Sequence, residues 1–181
     1  MTLQNQKILV IGASGSGSST LGQALAHKHG SLWLDLDDYY WLPTPTPYTE
    51  KRDPQTRYKM VLEDFQSSES VIVSGSPMNW GSALEDGFNL IVFLYLDTKI
   101  RVERLRVREI KELGKADPAF LEWAGQYDQG PQIGGRSLNR HNAWLNKRSC
   151  PILRLEGDQS IQKRISQVES ASSFNEPIKP Q

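Results

Sequence analysis

Gly12-Ala13-Ser14-Gly15-Ser16-Gly17-Ser18-Ser19-Thr20 interrupts the apolar run Ile8-Leu9-Val10-Ile11 and opens onto a stretch of helical spacing. Gly12 and Gly17 stand five apart and Ser19 follows two later, the spacing of the phosphate loop GxxxxGK[ST]. Successive N–H groups in such a loop point inward at phosphate oxygens, and glycine permits the backbone angles and close approach this needs. The helix that follows contributes the partial positive charge of its N-terminus. Ser18 stands where the pattern has lysine, so the point charge usually supplied to the terminal phosphates is missing. A flexible Gly/Ser turn between strand and helix is the plainer alternative. A dinucleotide loop fits less well, because Gly12, Ser14 and Gly17 do not give GxGxxG, although Gly15 and Gly17 mimic part of it.

Outward from this loop, β-branched and apolar runs recur at 71–74, 90–96 and 151–155, with a weaker one at 31–36. Near-continuous apolarity, as in Leu90-Ile91-Val92-Phe93-Leu94-Tyr95-Leu96, suits strands buried on both faces, the habit of parallel sheets. Helical spacing fills 19–29, 54–67, 98–113, 138–147 and 161–171. The alternation predicts βαβ units and an α/β fold whose sheet is covered on both sides. A chain of 181 residues is expected to form one domain over 1–171, with a loose, Pro-containing tail at 172–181.

The 21 basic and 21 acidic side chains cancel, which argues against wrapping duplex DNA or coating an anionic membrane. The central apolar run is seven residues long, far below the ~20 of a spanning helix. The single Cys150 excludes a disulfide framework within the chain and a Cys-rich zinc site. With no secretory pattern at the start, a cytoplasmic setting is expected. Two irregular segments break the alternation. One is Trp41-Leu42-Pro43-Thr44-Pro45-Thr46-Pro47-Tyr48; the other, 114–135, is long enough to suggest a lid or binding loop.

In its opening strand, glycine-rich loop and length, the chain resembles the small P-loop kinases of the adenylate kinase and shikimate kinase group. The resemblance is strongest over 7–40 and extends by element order over 7–165. It implies a three-layer α/β/α sandwich with a five-stranded parallel sheet, ordered 2-3-1-4-5, and a lid at about 114–135. Gly12 to Thr20 would then cradle a nucleotide, with main-chain N–H groups from Ala13 to Ser19 on its phosphates and the Ser19 hydroxyl on Mg²⁺.

The same resemblance gives roles to residues elsewhere. Asp35 and Asp37 fall on one side of an extended strand end. By similarity Asp35 organises Mg²⁺ through water and Asp37 orients the acceptor hydroxyl. Without the similarity they are an acidic strand end capping the next segment. Ser74-Gly75-Ser76 either approaches the acceptor or makes a plain turn with Pro77 starting a helix. Arg101, Arg104 and Arg108 share a helix face, and Arg104 and Arg108, nearest the lid, are expected at the transferring phosphoryl group. A solvated charged face is the alternative. Arg136 and Arg140 follow the lid, and Arg136 is expected to neutralise developing charge. Lys51, Arg52 and Arg57 lie where nucleotide-monophosphate kinases bind the acceptor. Tyr39, Tyr40 and Trp41 either line an acceptor pocket or pack a sheet edge. His27 and His29 do not share a helix face, which argues against metal ligation, and His141 reads as a surface histidine, with a lid contact as the alternative.

The expected activity is ATP- or GTP-dependent phosphoryl transfer to a small molecule such as a nucleoside, a nucleotide or a shikimate-like hydroxy compound. The expected cofactors are ATP and Mg²⁺, in a monomer or homodimer with no nucleic-acid or membrane partner. Ser18 keeps a second reading open, a nucleotide-binding sensor with weak catalysis.

Overall fold

Strand β1 (Lys7–Gly12) runs through the middle of the molecule, and Ile8, Leu9, Val10 and Ile11 have no exposed surface. The computed structural model describes residues 3–130 and 136–173. After β1 come α1 (Ser18–His29), β2 (Leu32–Asp35), α2 (Leu36–Tyr40), α3 (Pro54–Gln66), β3 (Val71–Ser74) and α4 (Ser82–Glu85). Then follow β4 (Leu90–Tyr95), α5 (Thr98–Leu113), α6 (Pro118–Gly125), α7 (Leu138–Leu145), β5 (Ile152–Glu156) and α8 (Ile161–Ser173).

The five strands form one parallel sheet in the order β2-β3-β1-β4-β5, with Leu9 in register between Val73 and Ile91. Odd and even positions of β1 face different cores, as the period of a strand requires. Ile8 and Val10 pack with Leu21, Leu25 and Ala26 of α1 and Ile165 and Val168 of α8. Leu9 and Ile11 pack with Leu36, Val61, Phe65, Leu84, Trp144 and Leu145 from α2, α3, α4 and α7. Each fully buried aliphatic or aromatic side chain contributes about 1.5–3 kcal/mol, so the two apolar layers hold the sandwich together.

Side-chain caps set several helix starts: Asp53 accepts from Thr56 N–H, Asp97 from Lys99 N–H and Ser137 from Arg140 N–H. The same chemistry corrects the sequence reading at β2. The strand expected to reach residue 36 stops at Asp35, because the Asp35 carboxylate accepts from Asp37 N–H at 3.1 Å and starts α2. Asp37 is therefore helical rather than extended. Pro77 does not start a helix either; its carbonyl accepts from Trp80 N–H at 3.0 Å in a turn that precedes α4. Segment 114–135 contains α6, capped by Asp117 with Pro118 at its first turn. Residues 131–135 of the expected lid and 174–181 of the expected tail lie outside the described residues, and α8 carries the chain to Ser173. Among the described residues no helix is long and apolar enough to cross a membrane.

Candidate phosphate and acceptor site

All five strands point their carboxyl ends the same way, and the turns after β1, β2, β3 and β4 gather there, where ligands bind in open parallel sheets. A Cβ on Gly12 would fall 2.6 Å from Leu94 O and 2.5 Å from Ser16 Oγ, so only glycine fits where β1 ends. Ser16 N–H then donates to Ala13 O at 3.0 Å, closing a turn. Gly15 (φ +81°) and Gly17 (φ +93°) adopt left-handed angles, and together these turns curl the loop into a backbone concavity. Among the described residues no side chain caps α1, and its first N–H bonded back to the helix start is Leu21, to Gly17 O. The amides of Ser18, Ser19 and Thr20 are thus presented at a positive helix end.

Two buried guanidinium groups brace the loop. Arg101 of α5, 1% exposed, donates to Ser14 O and Ala124 O, each at 3.3 Å, to Leu96 O at 2.9 Å and to Thr98 Oγ1 at 2.8 Å. Arg164 of α8, 2% exposed, donates to Ser16 O and Gly157 O, each at 3.0 Å. Burial holds both guanidinium pKa values below the usual arginine range. Sequence reasoning missed Arg164 and grouped Arg101 with its exposed neighbours. The available signal was an arginine inside an apolar stripe, Ile161, Arg164, Ile165 and Val168.

Asp37 stands within electrostatic reach of two of the expected arginines. Burial raises the pKa of Asp37; Arg136 opposes this, Asp35 adds to it, and Arg108 opposes it more weakly. Burial raises the pKa of Tyr48 in the Pro-rich segment; Arg108 opposes this and Asp37 adds to it, so its hydroxyl stands within electrostatic reach of the same groups. Arg136 borders a cavity of about 10 Å³ together with Ala13 and Ser14, linking the acidic pair to the phosphate loop. Arg104 points elsewhere, to Asp158 at 2.6 Å in the β5–α8 turn.

The oxygen donors here, Ser19 Oγ on the first turn of α1 and the Asp35 and Asp37 carboxylates, are hard ligands that suit Mg²⁺. Among the described residues no trio of His, Cys, Asp or Glu side chains is arranged to hold a metal. A divalent ion would complete its shell with water and phosphate, as Mg²⁺ does. A cation held there would offset the repulsion between Asp35 and Asp37.

The Arg57 guanidinium lies 4.6 Å from the centroid of the Tyr40 ring and 4.7 Å from that of the Trp80 ring. Of the three basic residues expected here, Arg52 donates to Tyr39 O at 3.0 Å and holds the backbone, while Lys51 pairs with Trp41 in an antiparallel bridge. Ser74 ties β3 to α1: its hydroxyl donates to Ser18 O at 3.2 Å and accepts from Trp33 Nε1 at 3.0 Å.

After α6, Asp128 accepts from Thr98 Oγ1 at 2.6 Å, and Tyr127 O accepts from Leu138 N–H at 3.0 Å. The Tyr127 hydroxyl and His141 Nδ1 share a 2.7 Å hydrogen bond. His141 is fully buried rather than on the surface, and burial first, then Arg136, lowers its pKa to about 4. Arg140 sits exposed in the first turn of α7.

Solved structures with the same architecture include three kinases. A shikimate kinase from Acinetobacter baumannii in complex with shikimate superposes with a TM-score of 0.59 at 17% identity, covering 94% of each chain. A gluconokinase from Sinorhizobium meliloti 1021 gives 0.56 at 17% identity, over 94% of this chain and 93% of that one. A deoxyadenosine kinase from M. mycoides with bound dATP gives 0.60 at 13% identity, over 92% and 99%. Such low identities speak for the fold alone, which is the P-loop kinase fold. No family model matches the chain. A Bacillus subtilis (strain 168) relative, Uncharacterized protein YqaC, is 38% identical over 181 residues, 94% of this chain and 99% of its own. With that identity along nearly the whole of both chains, the protein belongs to the YqaC family.

Proposed function

We propose that the protein transfers the terminal phosphoryl group of ATP, or GTP, to a hydroxyl of a small molecule that carries an anionic group. The observation that carries this reading is the meeting of Asp37, Arg136 and the phosphate loop at one end of the sheet. Main-chain amides from Ala13 to Ser19, with Gly12 and Thr20 at the ends of the cradle, bind the phosphates. When bound, Mg²⁺ would neutralise phosphate charge, and Ser19 and Asp35 are the residues that would hold it. Asp37 orients the acceptor hydroxyl and takes its proton, a task favoured by a carboxylate whose pKa burial has raised. Arg108 and Arg136 neutralise the charge that spreads over the transferring group. Arg104, turned to Asp158, reaches the phosphates after exchanging that partner, or serves the nucleotide side of the site. Arg57, fixed between two rings, meets the anionic group of the acceptor. Closure of the 114–135 segment excludes water from the reaction.

Asp37→Asn tests this reading in a coupled assay over a panel of anionic hydroxy compounds, nucleosides and nucleotides. Turnover is expected to fall by roughly 10²–10⁴-fold while ATP binding stays within about threefold. Unchanged turnover contradicts the role of Asp37. A specific observation, Ser18 in the lysine position, favours a second reading as a nucleotide-binding sensor. Nucleotide binding without turnover over the whole panel selects it.

A further inference from the structure

The loop that lacks a lysine is contacted from behind by two guanidinium groups, and each ends on the carbonyl of a peptide that leads into a left-handed glycine. Arg101 Nη1 meets Ser14 O, and the N–H of that peptide belongs to Gly15. Arg164 Nη1 meets Ser16 O, and the N–H of that peptide belongs to Gly17. In a trans peptide the carbonyl and N–H point in opposite directions, so a cation on the oxygen side leaves the amide aimed at the other side. Hydrogen bonds through one peptide polarise each other, and a charged donor makes the far N–H a stronger donor.

We infer that Arg101 and Arg164 are positioning residues that replace the missing lysine electrostatically, by polarising the Gly15 and Gly17 amides toward bound phosphate. This rests on the phosphate-loop reading above. Several features separate these residues from ordinary core arginines. Arg164 bonds two main-chain carbonyls and, among the described residues, forms no ion pair within 4.0 Å; Asp158, which pairs with Arg104 at 2.6 Å, acts on it only from farther away, so much of its charge is directed at the two carbonyls. The glycine beneath it gives it access: a Cβ on Gly17 would stand 3.2 Å from Arg164 Nη1. Arg101 is moderated by Asp128, 3.8 Å from its Nη2, and its Nη1 is shared between Ser14 O and Ala124 O of α6. It therefore also joins the phosphate loop to the base of the lid. Near full burial, charge at a distance of one peptide unit is screened far less than at the surface.

The test is calorimetric titration of inorganic tripolyphosphate with Mg²⁺ into four proteins: wild type, Arg164→Gln, Ser18→Lys, and the double variant. Glutamine keeps an amide donor for Ser16 O and removes the charge. Arg164→Gln is expected to weaken binding about tenfold in the wild-type background and no more than about twofold when Ser18→Lys is present, because the restored ammonium takes over. In the free protein the Gly17 amide proton is expected to move upfield in Arg164→Gln, as polarisation is lost. A purely structural role gives the same loss in both backgrounds; that result, or no loss in either, overturns this inference alone. Should Arg164→Gln fail to fold by circular dichroism, Arg164→Lys and Arg101→Lys carry the test. Each keeps the charge and is expected to bind within about threefold of wild type, and a tenfold loss in either overturns the inference. Wild-type protein that binds no tripolyphosphate overturns the phosphate-loop reading itself.

Discussion

His141 is an ionisable side chain held where ionisation is unfavourable, fully buried beneath Phe93 and bonded to Tyr127. Its folded pKa of about 4 lies below the ordinary 6.5, so between those values the unfolded chain binds the extra proton. Stability therefore falls as pH drops from about 6.5 to 4, by about 3 kcal/mol from this residue, and the loss is complete below the folded value. Urea melts across that window are expected to show the slope in wild type and a flatter one in His141→Asn. Equal slopes contradict the assignment. The burial was legible in principle, since His141 stands three after Leu138 and four before Leu145, inside the stripe α7 turns to the core. Asp37 behaves in the opposite sense. Its raised pKa means that the ionised, ligand-free fold loses stability as pH rises through the folded value. Asp37→Asn is expected to melt at the same temperature as wild type or higher at neutral pH while losing turnover, and a clearly lower melting temperature contradicts a site strained by buried charge.

Helix α1 approaches β3 closely because Gly22 has no side chain: a Cβ there would lie 2.0 Å from Ser74 Oγ and 3.1 Å from Trp33 Nε1. Gly22→Ala is expected to cost about 1–3 kcal/mol in chemical denaturation and to shift the phosphate loop that α1 carries. Adding Ser74→Ala removes the clashing hydroxyl, and recovery of much of that loss is expected; additive losses contradict the contact. Long elements were readable from their periodicity, and α1, α3, α5, α7 and α8 fall close to the expected spans. Short ones were not. α2 has five residues and α4 four, too few to show a period, and each follows from a turn or a cap rather than a pattern. Arg101, Arg104 and Arg108, one charged face in sequence, differ in their partners: Arg101 bonds the loop and α6, Arg104 pairs with Asp158, and Arg108 acts on Asp37.

At the scale of the molecule, alternating strands and helices gave the α/β class from physics, since apolar runs without polar alternation need cover on both faces. Strand order came from the resemblance, and the sheet has that order. The glycine-rich loop was legible because it is one contiguous stretch of backbone, whereas the residues proposed for the acceptor, Asp37, Arg57 and Arg136, stand far apart in the sequence. The central claim is that this lysine-free loop is a working anion site, and it is a claim about binding before it is one about catalysis. Thermal unfolding of wild-type protein with excess MgATP tests it most directly. At a hundred times the dissociation constant, ligand stabilises the fold by about 2.7 kcal/mol, which for a chain of this size raises the melting temperature by roughly 5–10 °C. That rise, with a smaller one from ADP, is what the account predicts; a melting temperature unmoved by millimolar MgATP contradicts it.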